Sequence, residues 1–212
     1  PRRNRTDRPL LLTLDHITKR FPNGTLALDD VSFAIAAGEF VSLVGPSGCG
    51  KSTALRLIAN LTQANAGSIK WAGTQPTLGF VLQDAALMPW ANVEKNVRLP
   101  LELEGLDDAK IKARTAETLD LVGLSAFAKS YPRELSGGMR MRVSIARALA
   151  AEPSILLMDQ PFAALDELTR ERLNDELREL WSAKKLTVVF VTHSIYESVY
   201  LASRVVVMSP RP

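Results

Sequence analysis

The fold of this chain is decided by the stretch Gly45-Pro46-Ser47-Gly48-Cys49-Gly50-Lys51-Ser52. It matches the phosphate-loop pattern G-x-x-x-x-G-K-[ST], and it stands after an apolar run and before a helix-forming segment, as that motif requires. Its glycines let successive backbone N–H groups face an anion, and the helix that follows adds partial positive charge. Lys51 can reach the β- and γ-phosphates, Ser52 offers a hydroxyl to Mg²⁺, and Thr53 is placed to bond an α-phosphate. The stretch therefore predicts a nucleoside triphosphate site.

Strands and helices alternate around this loop. Apolar runs at 11–17, 31–35 and 40–44 precede it, and buried runs at 155–158, 186–191 and 204–208 alternate with helical segments after it. Such alternation is typical of a mainly parallel sheet covered on both faces. From residue 84 the sequence becomes rich in Glu, Lys, Ala and Leu, with apolar residues at helical spacing. This pattern predicts a helical insertion over about residues 84–150. We predict an α/β fold of the P-loop NTPase class, with an antiparallel β edge formed by the N-terminal runs.

Composition and charge exclude several classes of protein. Of the 212 residues, 26 are Lys or Arg and 23 are Asp or Glu, and the whole excess of +3 lies in the first eight residues. The balanced remainder argues against a nucleic-acid-binding face, and the short apolar runs argue against a membrane span of roughly 20 residues. One cysteine and two histidines argue against a disulfide framework or a zinc site. We expect a basic flexible tail over residues 1–9, a single domain over 10–212, and a Cys49 that packs inside the loop rather than reacting.

A second glycine-containing stretch opens another helical segment: Leu135-Ser136-Gly137-Gly138-Met139. It resembles the LSGGQ signature of the ATP-binding subunits of ABC transporters, and the resemblance extends from Leu12 to Pro212. It implies the ABC ATPase fold, a single ABC ATP-binding domain, and ATP with Mg²⁺ as the bound groups. It further implies that two chains, identical or closely related, pair head to tail, so that the signature of each binds the ATP of its partner. Bound ATP then holds the two subunits together.

The resemblance also assigns roles to isolated residues. Phe21 stands where the family places an aromatic ring on adenine, although the residue taken alone is predicted to be core. The other matches are Gln83 with the Q-loop glutamine, Ile155–Asp159 with the Walker B strand, Ala164–Asp166 with the D-loop, and Thr192-His193 with the switch histidine. Asp166 and His193 are thereby expected to serve catalysis, with His193 at the sheet edge near a γ-phosphate.

Asp159 is the expected partner of Mg²⁺. It follows a buried strand, at the position where open α/β sheets place ligand groups. Its carboxylate is expected to orient the ion, with Ser52 and the amide oxygen of Gln83 as the other ligands. The alternative is that Asp159 is a turn residue or a helix cap.

One position departs from the family. A glutamate that polarises the attacking water normally follows the Walker B aspartate, and this chain has Gln160 there. An amide can hydrogen-bond water but cannot accept its proton, and the loss of a positioned base costs about 10²- to 10⁴-fold in rate. We therefore predict an ATP hydrolase with intact ATP binding and strongly reduced turnover. Two explanations stay open: a naturally weak ATPase, or a substitution introduced to trap the ATP-bound state, which the intact condition of the other motifs favours.

Segments outside the shared motifs resemble importers of the nitrate/sulfonate/taurine group. These segments are 87–93, 164–170 and 205–212. Related importers of pyrimidines, thiamine precursors or riboflavin share this texture, so the cargo stays open. The resemblance implies a peripheral protein at the cytoplasmic face of the inner membrane, beneath a pair of transmembrane permease subunits, with an external substrate-binding protein and no nucleic acid as partner. Relatives continue beyond Pro212, so a further C-terminal segment is expected.

The expected permease contact is the groove between Gln83 and the helical insertion, with Met88, Pro89 and Trp90 as exposed apolar anchors. The alternative is that these three residues belong to the core of the insertion. Two other functions stay open. The chain could be a naturally inactive, ATP-dependent assembly clamp, or a soluble ABC ATPase of translation or DNA repair, although such proteins usually carry two cassettes or a long coiled coil.

Overall fold

The computed structural model describes residues 8–74 and 76–210. Residues 1–7 of the predicted tail lie outside these ranges, as do residues 211–212 of the importer-like segment at the end of the chain. No helix within the described ranges is long and apolar enough to cross a membrane.

The described ranges contain both strands and helices, and the two alternate from α4 onward. In chain order they are β1 (Leu10–Arg20), β2 (Leu26–Ala36), β3 (Phe40–Val44), α1 (Lys51–Ile58), β4 (Ala66–Trp71), β5 (Leu78–Val81), α2 (Val93–Leu103), α3 (Asp108–Leu121), α4 (Gly137–Ala150), β6 (Ile155–Asp159), α5 (Glu167–Lys184), β7 (Thr187–Val191), α6 (Ile195–Leu201) and β8 (Arg204–Val207). The predicted α/β fold is confirmed. The chain divides into two compact units. The first contains the described residues up to Pro76 and from Leu177 onward, and the second contains Thr77–Glu176, so α5 belongs partly to each.

The N-terminal strands of the first unit are antiparallel, as predicted, and they form a sheet of their own in the order β2-β1-β4. β1 pairs with β2 from Leu10 opposite Ala36 to Arg20 opposite Leu26, with register shifts that mark bulges along the pair. Just before β1, the Arg8 guanidinium donates to the carbonyl oxygen of Gly38 at 2.8 Å.

The first unit also contains a parallel arrangement in which β3 lies between β7 and β8. Every residue of β7 is buried, as is typical of strands in a parallel sheet that is covered on both faces. The ring of Phe40 packs edge-on against Trp181, with centroids 5.6 Å apart, and lies 5.8 Å from Phe190. These contacts fix β3, and therefore the start of the phosphate loop that follows it.

The second unit combines the parallel pair β5–β6 with the helices α2, α3 and α4. Each of these helices begins at a polar cap whose side chain accepts a backbone N–H three residues on: Asn92, Asp107 and Ser136. The helices enclose an apolar core formed by Val93, Val97, Leu101, Ile111, Leu119, Leu124, Leu135, Val143, Ala146 and Ala150. The α4 helix thus carries the signature residues at its first turn while its apolar face is fixed in this core.

Candidate functional site

The phosphate loop of the first unit connects β3 to α1 and encloses its own lysine. Lys51 is only 4% exposed, and its Nζ donates to the carbonyl oxygens of Gly45 and Pro46, both at 2.8 Å. The Sγ of the buried Cys49 lies 3.6 Å from the same Nζ. The ammonium is therefore held within the loop by the loop's own backbone.

Two glycines of this loop are required by close contacts. Gly50 has a φ of 102°, and a Cβ there would lie 2.4 Å from the carbonyl oxygen of Ala27. A Cβ on Gly45 would lie 2.4 Å from the carbonyl oxygen of Met208. Any side chain at either position would displace backbone, so the path of the loop depends on both glycines.

His193 lies at the same edge of the parallel sheet as the start of the phosphate loop. Leu43 of β3 pairs with Val191 of β7, and because the two strands are parallel, the residues that follow each strand emerge on the same side. His193 is exposed there. The preceding Thr192 is 4% exposed, and its hydroxyl donates to the carboxylate of Glu197, which anchors the backbone next to the histidine.

Phe21 lies in the turn that follows β1. It is half-buried, and the Nζ of Lys19 lies 5.3 Å from the centroid of its ring. Its N–H donates to the carbonyl oxygen of Thr25 at 2.9 Å, which closes the turn. The ring is therefore only partly covered, unlike the core position that its identity alone suggests.

The second unit brings two glutamines to one edge of its parallel pair. Val81 of β5 pairs with Met158 of β6, and Gln83 and Gln160 each follow two residues later. Asp159 is the last residue of β6 and is 8% exposed. Gln160 has a φ of 50°, in the left-handed region, so the backbone turns sharply directly after the strand. The amide of Gln83, the carboxylate of Asp159 and the amide of Gln160 therefore belong to one edge of the β5–β6 pair.

The signature stretch forms the first turn of α4. The Oγ of Ser136 accepts the N–H of Met139 at 3.2 Å and caps the helix. Met139 is half-buried against the helical core, whereas Ser136 is exposed. A Cβ on Gly138 would lie 2.6 Å from the Cγ2 of Thr169, so α4 and α5 approach closely at this glycine.

Asp166 has a structural role that was not predicted from sequence. Its Oδ1 accepts the N–H of Thr169 at 3.0 Å, which caps the first turn of α5. That backbone hydrogen bond is the main cause of the lowered pKa of Asp166. The sequence signal for this capping role was the spacing Asp-x-x-Thr before a helix. Asp159, for which a helix cap was one alternative role, is the last residue of a strand.

An open cavity of about 490 Å³ in the second unit joins the Q-loop, signature and D-loop segments. It is lined by Gln83, Asp84, Ala85, Gly137, Arg140, Met141, Pro161, Ala164 and Leu165. The predicted site residues therefore form two groups. The phosphate loop, Phe21 and His193 belong to the first unit, and the remaining residues belong to the second.

Two polar side chains beside the second group were also not predicted from sequence. Asn96 of α2 is fully buried, and Arg147 of α4 is half-buried. Their partners are backbone carbonyl and N–H groups of the segment between β5 and α2. The signal for Asn96 was an amide placed beside the apolar positions Val93 and Val97 of α2.

Comparison with known proteins places these features in context. Residues 28–163 match the ABC transporter family. The aliphatic sulfonates import ATP-binding protein SsuB of Bacillus thuringiensis subsp. konkukian is 43% identical over 211 residues, which are 96% of this chain and 83% of that protein. The protein of the same name in Bacillus subtilis is 46% identical over 190 residues, which are 87% of this chain and 73% of that protein. A solved dimer of the ATP-binding cassette MJ0796, bound to ADP and Pi after hydrolysis, is similar with a TM-score of 0.83 and 34% identity, covering 95% of this chain and 97% of that one.

Proposed function

The chain belongs to the ABC transporter family, and from that premise we propose that it is the ATP-binding subunit of an importer. It pairs with a second ATPase subunit, the same chain or a close paralogue, around two ATP molecules and thereby drives a membrane permease. The solved relative MJ0796 is a dimer, which supports pairing of this kind. The chain would act as a peripheral protein at the cytoplasmic face of the membrane.

One observation carries the proposal. The chain has two separate helix N-termini of the phosphate-binding kind, the phosphate loop with its enclosed Lys51 and the capped signature turn at Ser136. The first binds the triphosphate of its own subunit. The second is expected to bind the γ-phosphate held by the partner, which explains why one chain has both.

Mg²⁺ fits the donors that the chain offers. Ser52, Gln83 and Asp159 all present oxygen, which Mg²⁺ prefers, and the ion usually keeps few protein ligands when phosphates supply the rest. The described ranges contain no cluster of three or more His, Cys, Asp or Glu residues able to hold a metal ion. When bound, Mg²⁺ supplies positive charge against the β- and γ-phosphates.

Gln160 determines the rate of the proposed reaction. Its amide can orient a water molecule, but it cannot take the water's proton, so ATP binds normally and turns over slowly. Gln160→Glu is expected to raise ATP turnover by about tenfold or more, measured as phosphate release at saturating Mg·ATP. Gln160→Ala is the control and should stay as slow as the parent chain. An unchanged rate in Gln160→Glu would refute the assignment of this position.

The permease contact is proposed for the docking loop, which we define as residues 82–91. Trp90 is 77% exposed and Pro89 is exposed, which supports a contact surface. Met88 is half-buried, so the prediction that it is a third exposed anchor is wrong. Relatives named for aliphatic sulfonates support a cargo of the nitrate/sulfonate/taurine type, which an external binding protein would deliver. Co-purification of the chain with a transmembrane permease, abolished or strongly weakened by Trp90→Ala, tests this part of the proposal.

A catalytically silent, ATP-dependent clamp is the second candidate, and the amide of Gln160 is the observation that favours it. The two candidates differ in whether permease and cargo raise turnover. In the Gln160→Glu chain bound to its permease, addition of the loaded binding protein should stimulate phosphate release. Absence of stimulation would favour the clamp.

A further inference from the structure

The docking loop contains no regular helix or strand, yet two side chains from separate helices hold it in place. Leu82 at its start is 41% exposed, and Trp90 near its end is 77% exposed. Exposed apolar residues on an unsupported loop would collapse onto the surface or move freely. The contacts of Asn96 and Arg147 show how this loop avoids both.

Asn96 holds the second half of the loop. Its Oδ1 accepts the N–H of Met88 at 2.8 Å, and its Nδ2 donates to the carbonyl oxygens of Ala91 and Asn92, each at 3.0 Å, and of Met88 at 3.2 Å. Asn96 is 0% exposed, so its amide has no access to water and depends on these backbone partners, with the two hydrogens of Nδ2 shared among the three carbonyl oxygens.

Arg147 holds the first half of the loop. Its Nη2 donates to the carbonyl oxygen of Ala85 at 3.0 Å and its Nη1 to that of Ala86 at 2.9 Å. Ala86 has a φ of 46°, a conformation that costs a non-glycine residue roughly 1–2 kcal/mol. The N–H of Ala86 donates to the Oδ1 of Asp84 at 3.0 Å, so Arg147 holds the carbonyl side of this turn and Asp84 the amide side. The planar fork of arginine matches two consecutive carbonyls, which the single ammonium of lysine cannot do.

The exposed anchors lie between these two attachments. Pro89 and Trp90 follow Ala86, held by Arg147, and precede Ala91, held by Asn96. Arg147 also lies on α4, the helix whose first turn is the signature. The same rigid helix therefore connects the signature to the docking loop.

We propose that Asn96 and Arg147 are positioning residues that fix the docking loop so that Trp90 is presented to the permease. Neither side chain contacts ATP or the permease; both act through the loop backbone. The inference rests on the proposed permease contact and adds the residues that make this contact rigid. Its consequence is that coupling to the permease can be lost while ATP chemistry is retained.

The test uses the chain in the Gln160→Glu background, assembled with its permease. Asn96→Leu and Arg147→Lys are each expected to lower the ratio of permease-stimulated to basal ATPase by about fivefold or more, because the contact surface is no longer fixed. Thr115→Val is the control for the first, since it also removes a buried polar group from the helical unit. Arg142→Lys is the control for the second, on the same helix but paired with Glu176. Both controls should leave the ratio unchanged within about twofold.

Hydrogen exchange without permease gives an independent measurement. Both variants should accelerate exchange in peptides that cover residues 82–92 and leave other peptides unchanged, whereas a merely structural role would accelerate exchange throughout the chain. If Asn96→Leu does not fold, Arg147→Lys decides the question alone. Unchanged exchange in the docking loop would overturn the inference.

Trp90→Ala separates the inference from the proposed function. If Trp90→Ala lowers the ratio and the two positioning variants do not, the inference is wrong and the permease contact stands. If Trp90→Ala leaves the ratio unchanged, the proposed contact is wrong, and the inference fails with it. If all three lower the ratio and Asn96→Leu adds nothing to Trp90→Ala, the inference is supported, because residues acting through one contact are not additive.

Discussion

Gly50 and Gly73 have almost the same backbone torsion, with φ values of 102° and 100°, but very different surroundings. A Cβ on Gly50 would lie 2.4 Å from the carbonyl oxygen of Ala27, whereas a Cβ on Gly73 would have nothing within 4 Å. The two positions therefore separate the cost of the torsion from the cost of close contact.

Gly50→Ala is expected to lower ATP affinity by about tenfold or more, because the displaced backbone reorients the N–H groups of the phosphate loop. Gly73→Ala is the control, since it carries the same torsional strain of roughly 1–2 kcal/mol without the overlap. Its ATP affinity should match that of the parent chain. Titration of a fluorescent ATP analogue measures both, and equal losses in the two variants would contradict the explanation.

Among the helices, α4 and α5 approach closely at Gly138 and are also joined by the ion pair of Arg142 and Glu176. Gly138→Ala places a methyl group within 2.6 Å of the Cγ2 of Thr169, so we expect it to lower the free energy of unfolding by about 1–3 kcal/mol. Thr169→Ser removes that methyl group and keeps the backbone N–H that Asp166 caps. The double variant should recover most of the loss in urea unfolding. Additive losses would show that the two positions do not interact.

The β1–β2 pair contains a pH-dependent contact. The Nδ1 of His16 lies 2.6 Å from the Oδ1 of Asp30, and this hydrogen bond raises the pKa of His16. The contact therefore stabilises the fold fully below pH about 6.5, the ordinary value for histidine, and this stabilisation is lost as the pH rises through the higher folded value. Both side chains are exposed, so the effect is small.

Asp30→Asn is accordingly expected to lower the melting temperature at about pH 5.5 and to leave it unchanged at about pH 9. Asp29→Asn removes the same charge one residue away and serves as the control. Thermal unfolding followed by circular dichroism measures both variants across this range. A difference between Asp30→Asn and the parent chain that persists at high pH would contradict the role of His16.

The elements that surround the phosphate loop could be predicted because their signals are contiguous: an apolar run, a glycine-rich turn and a helix follow one another in the sequence. Asn96 and Arg147 could not be predicted as a pair, because their partners are backbone groups that carry no side-chain signal. The capping role of Asp166 was within reach, since Asp-x-x-Thr precedes a helical segment. The close approach at Gly138 depends on a helix some thirty positions later, which no local pattern reveals.

At the level of the whole molecule, the proposed pairing predicts that the molar mass of the particle in solution depends on nucleotide. The chain should be monomeric when dilute and free of nucleotide, and dimeric with Mg·ATP, because bound ATP stabilises the paired state. Ser136→Glu should remain monomeric with Mg·ATP while still binding it, since a carboxylate at the signature repels the partner's phosphate. Light scattering measures both. A tight dimer in the absence of nucleotide would contradict the prediction.

The enclosed ammonium of Lys51 affects the energetics of the entire chain. A cation that donates to two neutral carbonyl oxygens has lost its water at the moment the loop folds, and those oxygens replace only part of that hydration. Dehydration of this charge is therefore completed in folding and does not recur when a triphosphate arrives. The free-energy cost of this dehydration therefore falls on the folding of the loop and not on the binding of nucleotide.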